Sequence, residues 1–327
     1  MATAVRSRIA RRPDRAGPVR APGPRGRELA RVLAMIGRSP LEAMDHVAQV
    51  YGDVVLLQIL GGPLFIVRGA EAVRHVLLTN QDNYVKSQHY ELARRLLGRG
   101  LVTNEGASWQ RQRSLVQPMF AQRHLVPFAE HMVAAAAASL AGWDQRFPAG
   151  SRVDAAAEMV TMTLEVVGRA LLGGDVSVLD AGFSAAAATA NHQIGAAGRS
   201  PINVVGSRLP GISPERAFKL QVPRWRAHAA AVDQMDEVVA GLIDRRAGGS
   251  GSGAGAGAGA GAPGAGEDLL GLLMSARDEE TGEPMSRTQV RDELMTFIAA
   301  GHETTANGLG WMWYLLSEHP AAREQLL

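Results

Sequence analysis

The sequence predicts a mainly α-helical protein with a small β-hairpin, and three observations carry that prediction. The stretch from Ser286 to Pro320 reads as one very long helix. Apolar residues recur at helical spacing through most of the remaining chain, whereas β-formers concentrate in one run, Val54 to Val67, split by Gly61-Gly62-Pro63.

At the N-terminus, residues 1 to 31 hold nine Arg against Asp14 and Glu28, a contribution of +7, so the rest of the chain sums to −5 against a net +2. Such an arm suits a nucleic-acid or anionic-lipid contact, or a solvated tail. No aromatic residues are interleaved for stacking, which favours the tail and no nucleic-acid partner. Residues 1–30 are therefore assigned to a disordered basic arm and Pro-rich hinge, Pro22-Gly23-Pro24-Arg25-Gly26.

From Pro40 to Tyr51, Leu41, Met44, Val47 and Val50 mark an amphipathic first helix. The hairpin follows, then a helix over Glu71 to Thr79 and a passage from Asn80 to Thr103, punctuated by Gly98 and Gly100, that reads mostly as loop. Trp109-Gln110-Arg111-Gln112-Arg113 begins the next helix, and a spacing of four puts Trp109 and Arg113 on one face. Taken alone that pair fits a packed Trp and a solvated Arg. Helices continue over about Gln122 to Phe147, Val153 to Leu172 and Val178 to Gln193, with alanine alternating with larger apolar residues as in bundle packing. His192, isolated, reads as solvated or hydrogen-bonded. A Gly, Pro and Ser-rich passage leads to another long helix, Pro214 to Arg246, expected to cross the Ser286–Pro320 helix. Residues 248–266 are a Gly-Ala-Ser run that cannot pack, read as a flexible insertion within one domain; a stacked strand is the competing reading, disfavoured by Pro263 and the short length.

The long helix has its own start and stop signals. Ser286 and Gln289 have capping-box spacing, and Pro320 cannot continue a helix. Roughly 32 residues give a rod of about 48 Å. Leu294, Phe297, Ile298, Leu309, Met312, Leu315 and Leu316 are apolar nearly all round, which predicts burial. Against that background Gly301, His302, Glu303, Thr304, Thr305 and Asn307 break the local rule, because buried polar groups cost energy unless satisfied. Ala300 and Gly301 remove bulk, so something flat fits close to the backbone. The Thr304 hydroxyl can reach the Ala300 carbonyl, which tends to bend or widen a helix.

Ala300-Gly301-His302-Glu303-Thr304-Thr305 resembles the oxygen-binding helix motif of cytochrome P-450, the haem-thiolate monooxygenases, in its soluble bacterial form. Trp109 and Arg113, between a Gly-rich loop and Pro118-Met119-Phe120, are similar to that family's propionate-binding helix. The resemblance implies the cytochrome P-450 fold over residues 31–327, with haem (iron protoporphyrin IX) as cofactor and with two segments around residues 178 to 240 forming a mobile lid. It implies oxygenation of a lipophilic small molecule by dioxygen, with electrons from a ferredoxin or flavoprotein reductase. By the same resemblance Thr304 hydrogen-bonds the dioxygen and Glu303 brings in protons for O–O cleavage. Ala300 and Gly301 line the haem face, and Trp109 with Arg113 holds a propionate.

Composition sets limits. With 327 residues, 46% hydrophobic and 20% charged, the chain can bury a core without staples, and its lack of cysteine rules out disulfides and thiolate metal sites. The axial cysteine of the family is therefore absent from this chain, and the Glu-x-x-Arg brace and most of the sheet that the family's second half supplies do not follow Leu327. The expectation is a fold truncated before the haem-ligand loop, a fragment inactive by itself. A catalytically dead remnant and a basic-armed helical interaction protein are the alternatives. No secretory signal or 18-residue apolar run is evident, because the alanine-rich segment near Ala134 to Ala138 is short and flanked by polar residues; a cytoplasmic protein without a membrane span is expected.

Overall fold

The computed structural model describes residues 20–59, 62–172, 179, 181–200, 212–249 and 268–326. The chain divides into two compact units, Met1–Val85 and Lys86–Leu327.

In the first unit, helices α1 (Gly26–Arg38) and α2 (Pro40–Tyr51) precede an antiparallel hairpin, β1 (Val54–Ile59) and β2 (Gly62–Val67), paired from Val54↔Val67 to Ile59↔Gly62. Helix α3 (Ala70–Arg74) runs on as a π turn, His75–Thr79. Val32, Val47, Val55 and Leu57 form the core, with Leu29, Ile36 and Ile66 packed on it. The start at Gly26 differs from the sequence expectation, which gave residues up to 30 to the arm. The stripe Leu29, Val32, Ile36 that drives α1 is interrupted by four arginines from Arg25 to Arg38, and charge obscures the period. Residues 1–19 lie outside the described residues. The hinge runs against β1: Leu56 N–H donates to the Pro22 carbonyl at 2.8 Å, and a Cβ on Gly23 would lie 1.9 Å from the Leu56 oxygen.

The second unit is helical. The passage ahead of Trp109, read as loop, contains a 3-10 turn, Gln88–Leu92, and a short α4 (Arg94–Leu97). Then come α5 (Gly106–Val116), a 3-10 turn Gln117–Phe120, α6 (Gln122–Arg146), α7 (Ala155–Leu172) and α8 (Ala181–Arg199). The helix expected over Pro214 to Arg246 is two, α9 (Pro214–Lys219) and α10 (Val222–Gly249). Pro223 lacks the N–H to continue a helix from α9 but suits a first turn, so the chain restarts there. The Gly-Ala run from 250 onward and Leu327 lie outside the described residues. Helices α11 (Leu269–Ser275), α12 (Arg287–Glu318) and α13 (Pro320–Leu326) follow, α11 capped by Asp268 through Gly271 N–H at 2.8 Å.

Leu164, Phe183, Met235, Leu270, Leu294, Met295 and Ile298 belong to one core joining α7, α8, α10, α11 and the first half of α12. Arg291 of α12 pairs with Asp236 of α10, and Arg287 with Asp244 at 2.7 Å, so α10 lies on α12 as expected. One helix departs from the reading. The stretch Gln122–Trp143 of α6 is long and apolar enough to cross a membrane by length and composition, and most of it is exposed. Its five consecutive alanines add little hydrophobicity each but no charge, and together they lengthen the apolar window.

Candidate active site

The centre of α12 is built from two faces. Ser286 and Gln289 form the capping box reciprocally, so the register of the helix is set from its first turn. Fourteen residues on, Ala300, Thr304 and Thr305 are exposed, whereas His302 and Ala306 are buried against the core. Thr304 Oγ1 donates to the Ala300 carbonyl at 2.5 Å, as its spacing suggests, and α12 stays α-helical from Arg287 to Glu318 without the expected widening. A Cβ on Gly301 would lie 3.1 Å from Val167 Cγ2 of α7. That glycine therefore lets α7 approach closely, and Ala300 is the small residue on the open face. One turn of helix is approached from the same side: the Thr163 hydroxyl, shared with the Met159 carbonyl at 2.7 Å, lies 3.1 Å from the His302 carbonyl. Glu303, half-buried, accepts a hydrogen bond from the Asn191 amide of α8.

On α5, the Arg113 guanidinium carbon lies 5.2 Å from the centroid of the Trp109 ring, so the predicted pair is formed. Lys86 places its ammonium 5.9 Å from the same ring. Two cations thus lie close to one indole. The indole N–H donates to the Leu101 carbonyl at 3.1 Å, so that donor is engaged within the protein. Lys86 Nζ donates to Leu101 O at 3.0 Å and Asn104 O at 2.7 Å, and burial lowers its pKa against an opposing pull from Glu105.

Trp109–Arg113 and Ala300–Thr304 are joined through intermediaries. Phe120, just past α5, meets Phe297 of α12 edge-on at 5.6 Å, one turn before Gly301. The loop of residues 98–104 makes the second link. Gly98, with φ +54°, sits where a Cβ would fall 1.9 Å from Asp292 Oδ1, and a Cβ on Gly100 would fall 2.2 Å from Thr296 Oγ1. These glycines allow Arg99 N–H to reach Asp292 at 2.7 Å and Leu101 N–H to reach Glu293 at 3.1 Å. Gln112, nearly fully buried, donates to the Arg99 carbonyl at 2.7 Å and accepts from Asn104 at 2.5 Å.

Lys86, Asn104, Gln112 and Glu293 escaped the sequence reading. A polar Gln112 three residues after Trp109 was the available signal, and for Glu293 it was a carboxylate amid the apolar run Leu294, Met295, Phe297, Ile298. His192 is exposed. Among the described residues no group of three His, Asp or Glu side chains is arranged to hold a metal ion.

The family described as Cytochrome P450 matches residues 22–327. Cyclooctatin synthase of Streptomyces melanosporofaciens is 30% identical over 304 residues, covering 93% of this chain and 60% of its own length. Pentalenene oxygenase of Streptomyces avermitilis is 26% identical over 289 residues, covering 88% and 58%. The crystal structure of the cytochrome P450DA heme domain aligns with a TM-score of 0.72 at 26% identity, over 93% of this chain and 62% of that one. The chain spans about three-fifths of the length of these relatives.

Proposed function

Because the chain belongs to the cytochrome P450 family, we propose that it forms part of a haem-dependent monooxygenase that places one atom of dioxygen into a lipophilic small molecule and releases the other as water. The observation that carries the reading is that two cations, Lys86 and Arg113, lie 5.9 Å and 5.2 Å from the indole of Trp109, on a helix tied through Phe120 to the open turn of α12. A carboxylate-bearing flat cofactor meets both halves of that arrangement: cations for its acidic edge and the small side chain of Ala300 for its face. Relatives named as oxygenases support the same chemistry.

When bound, haem supplies the oxygen-activating redox chemistry. The residues of this chain bind, orient and move protons. Arg113, against the Trp109 ring, offers guanidinium N–H donors to a propionate, and the Lys86 ammonium, held by the Leu101 and Asn104 carbonyls, adds positive charge nearby. Thr304 spends its hydroxyl proton on the Ala300 carbonyl, which leaves the Oγ1 lone pairs facing the open side to accept a proton or a hydrogen bond. Glu303, held by Asn191, is the acid one residue away. Gly301 sets the spacing of α12 on α7. No iron ligand is assigned, since the chain contains no cysteine. Electrons from a ferredoxin or flavoprotein reductase and a cytoplasmic setting complete the proposal.

Haemin titration of the 327-residue chain, followed in the Soret region, tests it. Saturable binding that Arg113→Ala weakens about ten- to hundredfold is expected for loss of a charge-assisted pair. Equal affinity in parent and variant, or no binding by the parent, overturns the assignment.

A further inference from the structure

We propose that Glu293 is a positioning residue for the Trp109–Arg113 pair, acting through the peptide of Leu101. The inference rests on the reading that this pair holds a cofactor carboxylate. Leu101 is gripped at both ends: its N–H donates to Glu293 Oε2 at 3.1 Å, and its carbonyl accepts from Trp109 Nε1 at 3.1 Å and Lys86 Nζ at 3.0 Å. Arg113 in turn rides on the Trp109 ring. One carboxyl on the core helix thus holds the Gly100–Leu101 amide, and the backbone of Leu101 carries that constraint to the next amide, whose carbonyl takes the Trp109 and Lys86 donors. The loop has little freedom to find another arrangement, because Gly98 and Gly100 lie against Asp292 and Thr296 with no room for a side chain.

The carboxyl itself is out of place in energetic terms. Glu293 is 0% exposed, and its Oε1 has no partner among the described residues. A buried orphan oxygen costs about 1–3 kcal/mol, and an apolar side chain would avoid that cost. A role for Oε2 at Leu101 accounts for its presence. Burial pushes the carboxyl up to about 7, with Asp292 adding in the same direction and the Leu101 N–H opposing. It can therefore accept the Leu101 bond without a full charge in the core.

The test uses the whole chain labelled with fluorotryptophan. Its five tryptophans give separate resonances, with that of Trp109 assigned by its loss in Trp109→Phe. In Glu293→Leu the Trp109 resonance is expected to move, and its indole N–H to exchange about tenfold faster, as for loss of roughly one hydrogen bond. Trp143, Trp225, Trp311 and Trp313 should stay in place. In Glu293→Gln the amide oxygen still accepts from Leu101, so Trp109 should remain at the parent position. A Trp109 resonance unmoved in folded Glu293→Leu, or moved as far in Glu293→Gln, overturns the proposal. If Glu293→Leu does not fold, the parent decides: the Leu101 amide and the Trp109 indole N–H must exchange at least about tenfold more slowly than the indole N–H of exposed Trp311, and equal rates overturn it. None of these measurements needs haem. The cofactor reading fails separately, if Arg113→Ala leaves haemin affinity unchanged.

Discussion

The two halves of α12 have similar apolar content and opposite surroundings. In the first half Leu294, Met295 and Ile298 are 0% exposed, and charged neighbours are paired: Arg291 with Asp236 and Asp292, and Asp292 also with Arg99 N–H. In the second half Trp311 is 65% and Tyr314 54% exposed, and Met312, Trp313 and Leu315 are open as well. The sequence expectation of burial along the whole rod holds only for the first. Apolar residues all round a helix state that each face is suited to a cover, and they do not say which element provides it. The turn Ala300 to Thr305 lies at the change from one regime to the other.

The largest expected effect breaks or confirms that division directly. Leu294→Ala should cost about 2–5 kcal/mol, since a buried leucine loses its transfer energy and leaves a cavity. Leu315→Ala, at 49% exposure, should stay within about 0.5 kcal/mol. Denaturant midpoints of the two variants measure this, and equal losses would mean that the second half is as well packed as the first.

Two arginines sharpen the contrast. Arg291→Ala leaves buried Asp292 without its ion-pair partner, the Arg99 N–H remaining, and should cost about 3 kcal/mol in stability with no change in haemin affinity once the protein is folded. Arg113→Ala should do the reverse, because Arg113 is exposed and its guanidinium lies over the Trp109 ring. The crossed measurements, melting and haemin titration on both variants, separate a fold-bearing cation from a ligand-bearing one.

Glu293, in the packed half, gives a pH signature. Its carboxyl titrates at about 7 in the folded chain against an ordinary 4.5, so the folded state holds the proton more tightly than the unfolded state. Its contribution to stability is fully present below the unfolded value and is lost as pH rises through about 7, by an amount on the order of 3 kcal/mol. Glu293→Gln should flatten this slope. A parent whose unfolding free energy is level from pH 5 to about 8, after correction with the Gln variant, would place the Glu293 carboxyl in water.

Much of this organisation was legible in the residues. The capping box of Ser286 and Gln289, the stop before Pro320, the pairing of the two β-rich runs between Val54 and Val67 and the shared face of Trp109 and Arg113 all follow from local rules of period, cap and turn, and the structure has each of them. The rest depends on long-range partners, which local pattern does not contain. Nothing near Leu101 in sequence signals that Glu293, 192 residues away, takes its N–H, or that Asn191 meets Glu303. Gly301 shows the same limit. Its small size was readable, but whether it makes room for a ligand or for Val167 of α7 depends on which way the helix is turned.

The smallest expected effect concerns two threonines that make the same local bond in different surroundings. Thr163 Oγ1 donates to Met159 O at 2.7 Å inside the core and lies 3.1 Å from the His302 carbonyl, so it ties α7 to α12. Thr304 Oγ1 bonds the Ala300 carbonyl alone, on the exposed face. Thr163→Ala should therefore cost about 1–2 kcal/mol, because a buried carbonyl loses a partner. Thr304→Ala should change stability by less than about 0.5 kcal/mol, in either direction, since water can replace the lost bond and alanine is the better helix former. That near-zero value is what the proposed role requires: a hydroxyl whose removal the fold does not register is free to serve a ligand. Thermal or denaturant unfolding of the single variants checks it. A loss above about 1 kcal/mol at Thr304 would show that its hydroxyl holds the helix together, and the proton-handling role would then have to move to Glu303 or Thr305.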